Sequence, residues 1–545
     1  MQRAVRLDST FWSARREAIK GCAFQTAGHY FFPSNCGCSS VVEHLLAKED
    51  VPSSSLVTRS PFAEMTFKPS REEFRELAKR GNLVPLIVDV VADVETPISA
   101  FAKIADGGPC FLFESAEKSE ESGRFSFAGF DPLCIFQSSG SETDPLGELQ
   151  KAMARFKFVA PPNLAPFLGA VGYIGYDVVR YFESAVPIHP RDDLKLPEMT
   201  FMIPRSLLIF DHRFRKLRIV FNAEIKEDCE ADAAYNDAEA SLQKLIARLA
   251  KPFRLSPIRS EKIDQLPQAE SNTTRAEFEA MVRQAKELIA AGDIFQVVLS
   301  QRFEANFAGA PLDLYRALRF GNPSPYMFYL KFDDSFAVIG SSPEMHVRVR
   351  DRAIELRPIA GTRPRGKDSA EDEKLAAELI ADPKERAEHV MLVDLARNDI
   401  GRVAEFGSVK VTERMVIERY SHVMHIVSHV VGRLRENKNA FDAIRATFPA
   451  GTVSGAPKIR AMQIIAQLEK ARRGFYSGIV GYFGFDGSHD SCIAIRSIVL
   501  KDGNAYLQTG AGIVADSDPG PEYLECVNKS KAMLEAVARA GEIKK

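Results

Sequence analysis

Strand-like and helix-like stretches follow one another along this chain without a regular strand–helix–strand period, and that constrains its fold more than any other property. Parallel sheets are built from βαβ units, so a chain lacking that period points to antiparallel pairing with helices packed against the sheets. Residues 85–91 and 206–210 read as strands. Residues 233–249 read as a helix. The best-defined signal begins at Thr274, whose spacing to Glu277 is that of a capping box. Phe278, Met281, Val282, Ala285, Leu288 and Ile289 then form one apolar stripe, and Gly292 stands where a helix stops. Residues 294–303 follow as a buried strand. The expected class is α+β with largely antiparallel sheets, without an internal repeat.

The chain has 545 residues, room for more than one domain. The polar stretch 251–274, with Pro252, Pro257 and Pro267, is the linker candidate between residues 65–250 and residues 275–545. Residues 1–64 differ from both. They lack sustained periodicity, they carry Asp8, Glu17, Glu43, Glu49, Asp50 and Glu64, which a transit peptide avoids, and they lack the apolar core of a secretion signal. The run 38–51 resembles a mistranslated transfer-RNA gene. The expectation is therefore a native start at Met65, with 1–64 a non-native or disordered extension of no assigned function.

With 45% hydrophobic and 26% charged residues the chain reads as soluble and globular. A net charge of −2 offers no field for nucleic acid or a membrane surface. No apolar run approaches the ~18–20 residues that span a bilayer. Eight scattered cysteines in so long a chain fit reduced thiols and a cytoplasmic setting. Cys36-Gly37-Cys38 has the wrong spacing for a zinc ribbon.

Several clusters could carry chemistry. Glu385 and Glu388 lie three apart in a helical stretch that ends near Asn398, Asp399 and Gly401, so they share a face. Beyond Pro519 and Pro521 a second helix places Glu525, Asn528 and Lys529 on one face. Carboxylates from two helices suit Mg²⁺, which takes oxygen ligands, although spacing alone favours two solvated helix faces bearing ordinary glutamates. Arg496 sits in the apolar run 491–499, read as a strand, and needs a partner there: a substrate carboxylate or an internal acid. His422, His425 and His429 lie among apolar residues, where a histidine is more often structural than catalytic. Gly510-Ala511-Gly512 alone signals a turn or bulge. Arg363 and Arg365 could form a solvated basic loop with Lys367. The run 451–458 lacks the glycine–lysine spacing of a nucleotide loop. Its Pro457 fits a helix start, with Ile459, Met462 and Ala466 packing below.

Four blocks in order carry a more specific signal: Pro358-Ile359-Ala360-Gly361-Thr362-Arg363-Pro364-Arg365-Gly366, the run from Glu388-His389 to Asn398-Asp399, Gly451-Thr452-Val453-Ser454-Gly455-Ala456-Pro457-Lys458, and Gly510-Ala511-Gly512-Ile513-Val514. Across roughly residues 90–540 the chain resembles the chorismate-utilising enzymes, and most closely the anthranilate synthase component I family. The resemblance implies the chorismate-binding-enzyme fold, two largely antiparallel sheets packed in a sandwich flanked by helices, with residues 65–250 regulatory and 275–545 catalytic. It implies Mg²⁺ on Glu388 and Glu525, and chorismate on Gly361, Thr362, Tyr476, Arg496, Gly510, Ala511, Gly512 and Lys529. Glu344, in Ser342-Pro343-Glu344, matches the general acid for the departing ring hydroxyl, and His425 the histidine of the pyruvate-eliminating step. Gln296 stands where water-using relatives carry a lysine base. Glutamine cannot deprotonate water, which argues for ammonia as nucleophile.

Ala360 argues likewise against the sister family, aminodeoxychorismate synthase component I, which typically has lysine there. Leu112-Phe113-Glu114-Ser115 resembles a Leu-Leu-Glu-Ser element, and Asn322-Pro323-Ser324-Pro325-Tyr326-Met327 its partner. Together they imply an L-tryptophan pocket with Glu114, Ser115, Pro325, Tyr326 and Met327. The chain shows no glutaminase elbow, so the expected partner is a glutamine amidotransferase subunit in a hetero-oligomer. The alternatives are the sister activity and a catalytically silent tryptophan-binding subunit.

Overall fold

Among the described residues every ladder between strands is antiparallel, and one long strand ties two sheets together. The computed structural model describes residues 65–116, 123–138, 140–161, 168–226, 230–420 and 423–543. The readings of residues 1–64, including Cys36 and Cys38, and of His422 lie outside them.

In the first sheet β1 (Leu83–Val91) pairs with β6 (Lys216–Glu224). The order continues through β5 (Met199–Asp211), β3 (Phe125–Gln137), β2 (Cys110–Glu114) and β9 (Tyr326–Lys331). It then runs through β10 (Phe336–Ser342), β19 (Ser497–Lys501), β20 (Asn504–Ile513) and β8 (Gln296–Asn306). The far edge of β8 carries two short strands, β7 (Glu270–Ser271) and β16 (Gly455–Ala456). The second sheet departs from the first residues of β5. There β4 (Ala170–Ile174) pairs with Met199–Met202, and β17 (Ile479–Phe483), β18 (His489–Ile493), β11 (Met345–Arg350), β12 (Ala353–Leu356) and β15 (Val423–Arg433) follow. One edge of β15 continues onto β13 (Ile359–Pro364), and the other holds β14 (Lys410–Arg419).

The sheets face each other across one apolar core. Phe111, Tyr173, Met202, Phe328, Val338, Phe475, Val480 and Val499 meet there, drawn from both. Helices cover the flanks: α1 (Arg71–Ala78), α2 (Pro97–Ile104), α3 (Pro145–Ala154), α4 (Ala231–Leu249), α5 (Arg275–Ala290), α6 (Pro311–Gly321), α7 (Ser369–Ala381), α8 (Pro383–Gly401), α9 (Ala440–Thr447), α10 (Lys458–Leu468) and α11 (Pro519–Gly541). The expected α+β sandwich is the one observed. In α5 the Thr274–Glu277 capping box forms, Phe278, Met281, Val282 and Ala285 are buried, and Gly292 takes φ +85° just past the end. Burying each of the larger side chains contributes roughly 1.5–3 kcal/mol. No helix of the described residues is long and apolar enough to cross a membrane.

Three readings change. The stretches 65–250 and 275–545 share the β2–β9 and β4–β17 ladders, and the described residues form one compact unit. The segment 251–274 divides the chain but not the core, because strands from both sides of it alternate in the sheets. Residues 491–499 are not one strand. The ladder breaks between β18 and β19, and Arg496 takes φ +51° in the break, a left-handed conformation that turns it out of the sheet's alternation. In α10 the packed positions are Ala461, Met462, Ile464 and Ile465, whereas Ile459 is 40% exposed.

Candidate active site

Most of the predicted site residues arrive on β8, β13, β15, β20, α8 and α11, and hydrogen bonds join them in three groups: Gln296 with Glu388, His425 with Gly361 and Thr362, and Lys529 with Gly510, Glu525 and Arg496. Gln296, the buried first residue of β8, donates from Nε2 to Glu388 Oε1 of α8 at 3.1 Å. Burial pushes the Glu388 carboxyl above its ordinary range; the Gln296 bond opposes this, while Glu385 and Glu525 nearby add to it. Gly512 lies in β20 beside β8, and a Cβ there would come within 2.8 Å of Gln296 Nε2. A Cβ on Gly510 would come within 2.9 Å of both Tyr476 Oη and the Leu299 carbonyl. These glycines stand in a regular strand rather than a turn, and their lack of a side chain is what lets Gln296 and Tyr476 close onto β20.

Helix α11 crosses over that strand. Lys529 donates from Nζ to the Gly510 carbonyl at 2.9 Å and pairs with Glu525 Oε1 at 2.6 Å, one turn apart on the helix. Arg496 Nη1 reaches the Lys529 carbonyl at 3.1 Å. Arg496 pairs with no carboxylate among the described residues, and burial lowers its pKa, with Tyr476 and Glu525 working in the opposite sense. A desolvated guanidinium without an internal acid is a receptor for an anion from outside. Of the two partners the sequence left open, the internal acid is absent among the described residues.

His425 stands in β15 directly across from Thr362 of β13. Its Nδ1 lies 3.0 Å from the Gly361 carbonyl and 3.1 Å from Thr362 Oγ1. A carbonyl only accepts, so Nδ1 carries the proton and Nε2 is the basic nitrogen. Burial lowers the imidazole pKa, the Gly361 bond and Glu418 raise it, and Arg496 lowers it further. Gly361 takes φ +68° at a register shift in β13, and a Cβ there would meet Glu385 Oε2 at 3.0 Å. Arg363 and Arg365 do not form a basic loop. Arg363 pairs with Glu385 and Asp382, and Arg365 with Asp372, so Glu385 is bound to a guanidinium within the chain.

Glu344, between β10 and β11, accepts a hydrogen bond from Thr452 Oγ1 at 2.7 Å. Burial drives its pKa up to about 7, which the Thr452 bond partly opposes. Its contacts are with the 451–453 turn rather than with the Gln296–Glu388 pair. Lys458, in the rejected nucleotide-loop run, is held by Asp399 at 2.7 Å and the Thr447 carbonyl at 3.0 Å.

Among the described residues no group of three His, Cys, Asp or Glu side chains converges as a metal site. Glu388 and Glu525 offer two hard oxygen donors close enough for their charges to repel, and Glu385 and Glu522 add like charge beside them. That fits a cation that completes its shell with water or substrate oxygens, as Mg²⁺ does.

The five residues assigned to a second pocket, Glu114, Ser115, Pro325, Tyr326 and Met327, do come together. Glu114 ends β2 exactly opposite Met327 in β9, and all five line one cavity of about 140 Å³ between the sheets. Its walls are aromatic, with Phe113, Phe125, Phe127 and Tyr482, and it holds charges of both signs in Arg348 and Asp490. Asp490 accepts from Tyr326 Oη at 3.0 Å and from Arg348 Nε at 2.8 Å. Glu114 accepts from Tyr315 Oη at 2.6 Å and from Arg319. Phe113, which stands where the resembled element has leucine, packs its ring 5.2 Å from Phe111 while lining the cavity.

Residues 108–535 match the family model described as chorismate binding enzyme. The chain belongs to that family. It is 46% identical over 495 residues to anthranilate synthase component 1 of Acetivibrio thermocellus, covering 88% of this chain and all of the relative. It is 45% identical over 493 residues to the protein of the same name from Pseudomonas aeruginosa, covering 86% and 99%. Among solved structures, anthranilate synthase component I from Streptococcus pneumoniae superposes with a TM-score of 0.66 at 37% identity, over 82% of this chain and 99% of that one. The menaquinone-specific isochorismate synthase from Escherichia coli superposes with a TM-score of 0.65 at 21% identity, over 86% and 98%, a likeness of fold alone.

Sequence reasoning missed the buried ion pair between Arg473 and Glu469. Arg473 binds both Glu469 oxygens, at 2.9 and 2.6 Å, and the Val298 and Val453 carbonyls, each at 2.7 Å. Its guanidinium lies 4.8 Å from the Tyr176 ring and 5.6 Å from Tyr476. The four-residue spacing of Glu469 and Arg473 was visible, but nothing in it marked burial.

Proposed function

We propose that the chain is anthranilate synthase component I, a lyase that converts chorismate and ammonia to anthranilate and pyruvate, the first step of L-tryptophan biosynthesis. The observation that carries this reading is the patch in which Gln296, not a lysine, meets Glu388 beside Gly361–Thr362–His425, Arg496 and Lys529. The names of the relatives agree with it. Glu388 and Glu525 would hold Mg²⁺, which when bound supplies positive charge to a substrate carboxylate.

Arg496, with Tyr476, Lys529 and the backbone of Gly510–Gly512, holds the enolpyruvyl carboxylate. Ammonia forms the new bond at ring carbon 2. The electron pair shifts through the ring, and the hydroxyl at carbon 4 leaves as water with the proton that Glu344 donates. A carboxyl group with a pKa of about 7 is still about half protonated at neutral pH, which leaves a general acid available. In the second step the carbon 2 proton departs and the enolpyruvyl group leaves as pyruvate, with His425 assisting through Nε2. Gln296 orients Glu388 and offers no base for water. Ammonia comes from glutamine through a partner amidotransferase subunit, in a cytoplasmic hetero-oligomer. The cavity between the sheets, aromatic and charged in both senses, takes L-tryptophan as a feedback inhibitor. Inhibition requires that tryptophan bind an inactive arrangement more tightly than the active one.

The test is purified protein with chorismate, Mg²⁺ and an ammonium salt, following anthranilate fluorescence with and without L-tryptophan. Anthranilate formation suppressed by tryptophan is expected. Chorismate consumed to an aminated product that retains its enolpyruvyl group would move the chain to the aminodeoxychorismate activity. No consumption would leave a silent tryptophan-binding subunit.

A further inference from the structure

His425 has a second set of neighbours on the side away from Thr362. In β15 it stands between Thr362 of β13 and Glu418 of β14, its register partners on either hand. Side chains so paired share a face of the sheet. Glu418 is fixed at both oxygens: one accepts from Arg357, and the other from Tyr420 Oη at 2.8 Å. The Tyr420 ring stands edge-on to the imidazole, with centroids 5.6 Å apart. Arg357 and Tyr420 also line the cavity between the sheets, together with Glu114 and Tyr326.

We propose that Arg357, Glu418 and Tyr420 are positioning residues for His425, and that the occupant of the cavity acts on His425 through Arg357 and Tyr420. The proposal rests on the proton-handling role given to His425 above. The groups facing the imidazole are Gly361 and Thr362 at Nδ1, Tyr420 at its edge and Glu418 on the flank opposite Thr362, and the charge of Arg496 also bears on it. Glu418 is the acid that favours the imidazolium, and Arg496 opposes it. A carboxylate held by a guanidinium and a phenol keeps a fixed distance from the ring, whereas a free one would rotate into solvent. A ligand that displaces Arg357 or Tyr420 releases Glu418, and so changes both the orientation and the proton affinity of His425 with no contact to it.

The experiment is NMR of the full chain labelled with ¹³C in its histidine rings, with the His425 signal assigned by its loss in His425→Asn. In Glu418→Gln the titration midpoint of His425 moves below that of the wild type, and Glu418→Asp restores part of the shift. An unmoved midpoint in Glu418→Gln, with the fold verified by near-UV circular dichroism, would overturn the positioning role. L-tryptophan added to the wild type at inhibitory concentration moves the His425 signal, and in Tyr420→Phe, which keeps the ring but not its bond to Glu418, the movement shrinks. Inhibition without any movement would overturn the link to the cavity. A lowered midpoint in Glu418→Gln with an unchanged acidic limb of anthranilate formation would support the positioning while removing His425 from proton handling.

Discussion

The general acid proposed at Glu344 has to be kept from ionising at neutral pH, and burial is what holds its proton there. Burial raises its pKa to about 7, and Thr452 is the hydrogen bond that restrains the rise. The protonated form is lost as pH climbs through that value, so kcat falls on the alkaline side of about pH 7. Thr452→Val removes the bond that favours the ionised form and moves this limb to higher pH, read from kcat profiles at saturating chorismate and ammonium. Glu344→Gln, which cannot donate a proton, lowers kcat by roughly 10²–10⁴-fold. Glu388 is proposed for a different role, as a metal ligand. Glu388→Gln keeps the shape and a hydrogen-bonding oxygen for Gln296 but removes one of two carboxylates. Turnover that depends on Mg²⁺ is then abolished, and wild-type activity across a Mg²⁺ titration would remove Glu388 from the metal site.

The stretch after α10 acts as a clamp between elements. Arg473 joins the carbonyl of Val298 in β8 to that of Val453, while Glu469 accepts from the Ser300 backbone at 2.9 Å and hydroxyl at 2.8 Å. The side chains of the pair are only 1% and 4% exposed. Removing one partner leaves the other charge buried and uncompensated, so Arg473→Ala should cost roughly 3–5 kcal/mol. The double change Arg473→Met with Glu469→Leu should cost less than the single one, since it leaves no stranded charge. Denaturant midpoints compare them; a double variant weaker than the single would sink the explanation. Strands β11 and β18 hold a second buried group, in which His346 and His489 share the Ser491 hydroxyl at 3.3 and 2.8 Å. Burial lowers both imidazole pKa values to about 3. The unfolded chain takes up these protons near pH 6.5, the folded one only near 3, so the stability the neutral rings permit is complete above about 6.5 and lost progressively below it. The stability difference between wild type and His489→Gln should therefore shrink as pH falls from about 6.5 toward 3. A difference independent of pH would show that His489 is not kept neutral.

For the whole molecule, the β2–β9 and β4–β17 ladders mean that neither side of the 251–274 segment owns a complete sheet. Residues 65–250 and 275–545 expressed separately should not fold alone, since each exposes strand edges and half of the shared core. Circular dichroism of each fragment and of their mixture tests this, and a cooperative melt from either alone would contradict it. The same interleaving explains the place of the aromatic cavity. It lies where β2 and β9 bring segments some two hundred residues apart side by side, which is why Glu114 and Met327 can face one space.

Local elements and the available chemistry were legible from short-range signals in the chain. The Thr274 cap, the stripe from Phe278 and the stop at Gly292 are signals within a single turn or two, and α5 follows them. The ordered motifs named the residues that β8, β13, β15, β20, α8 and α11 then bring together. Tertiary structure alone decided what each group meets. Only the break between β18 and β19 turns Arg496 toward Lys529; nothing in an apolar run marks a left-handed residue. Only the pairing of β13 with α8 binds Arg363 to Glu385, and only the packing of α10 on β8 buries Glu469 and Arg473. The physical reason is range. Helix caps and apolar stripes depend on neighbours a few residues away, whereas burial, ion pairing and pKa are set by groups that meet only after the sheets close.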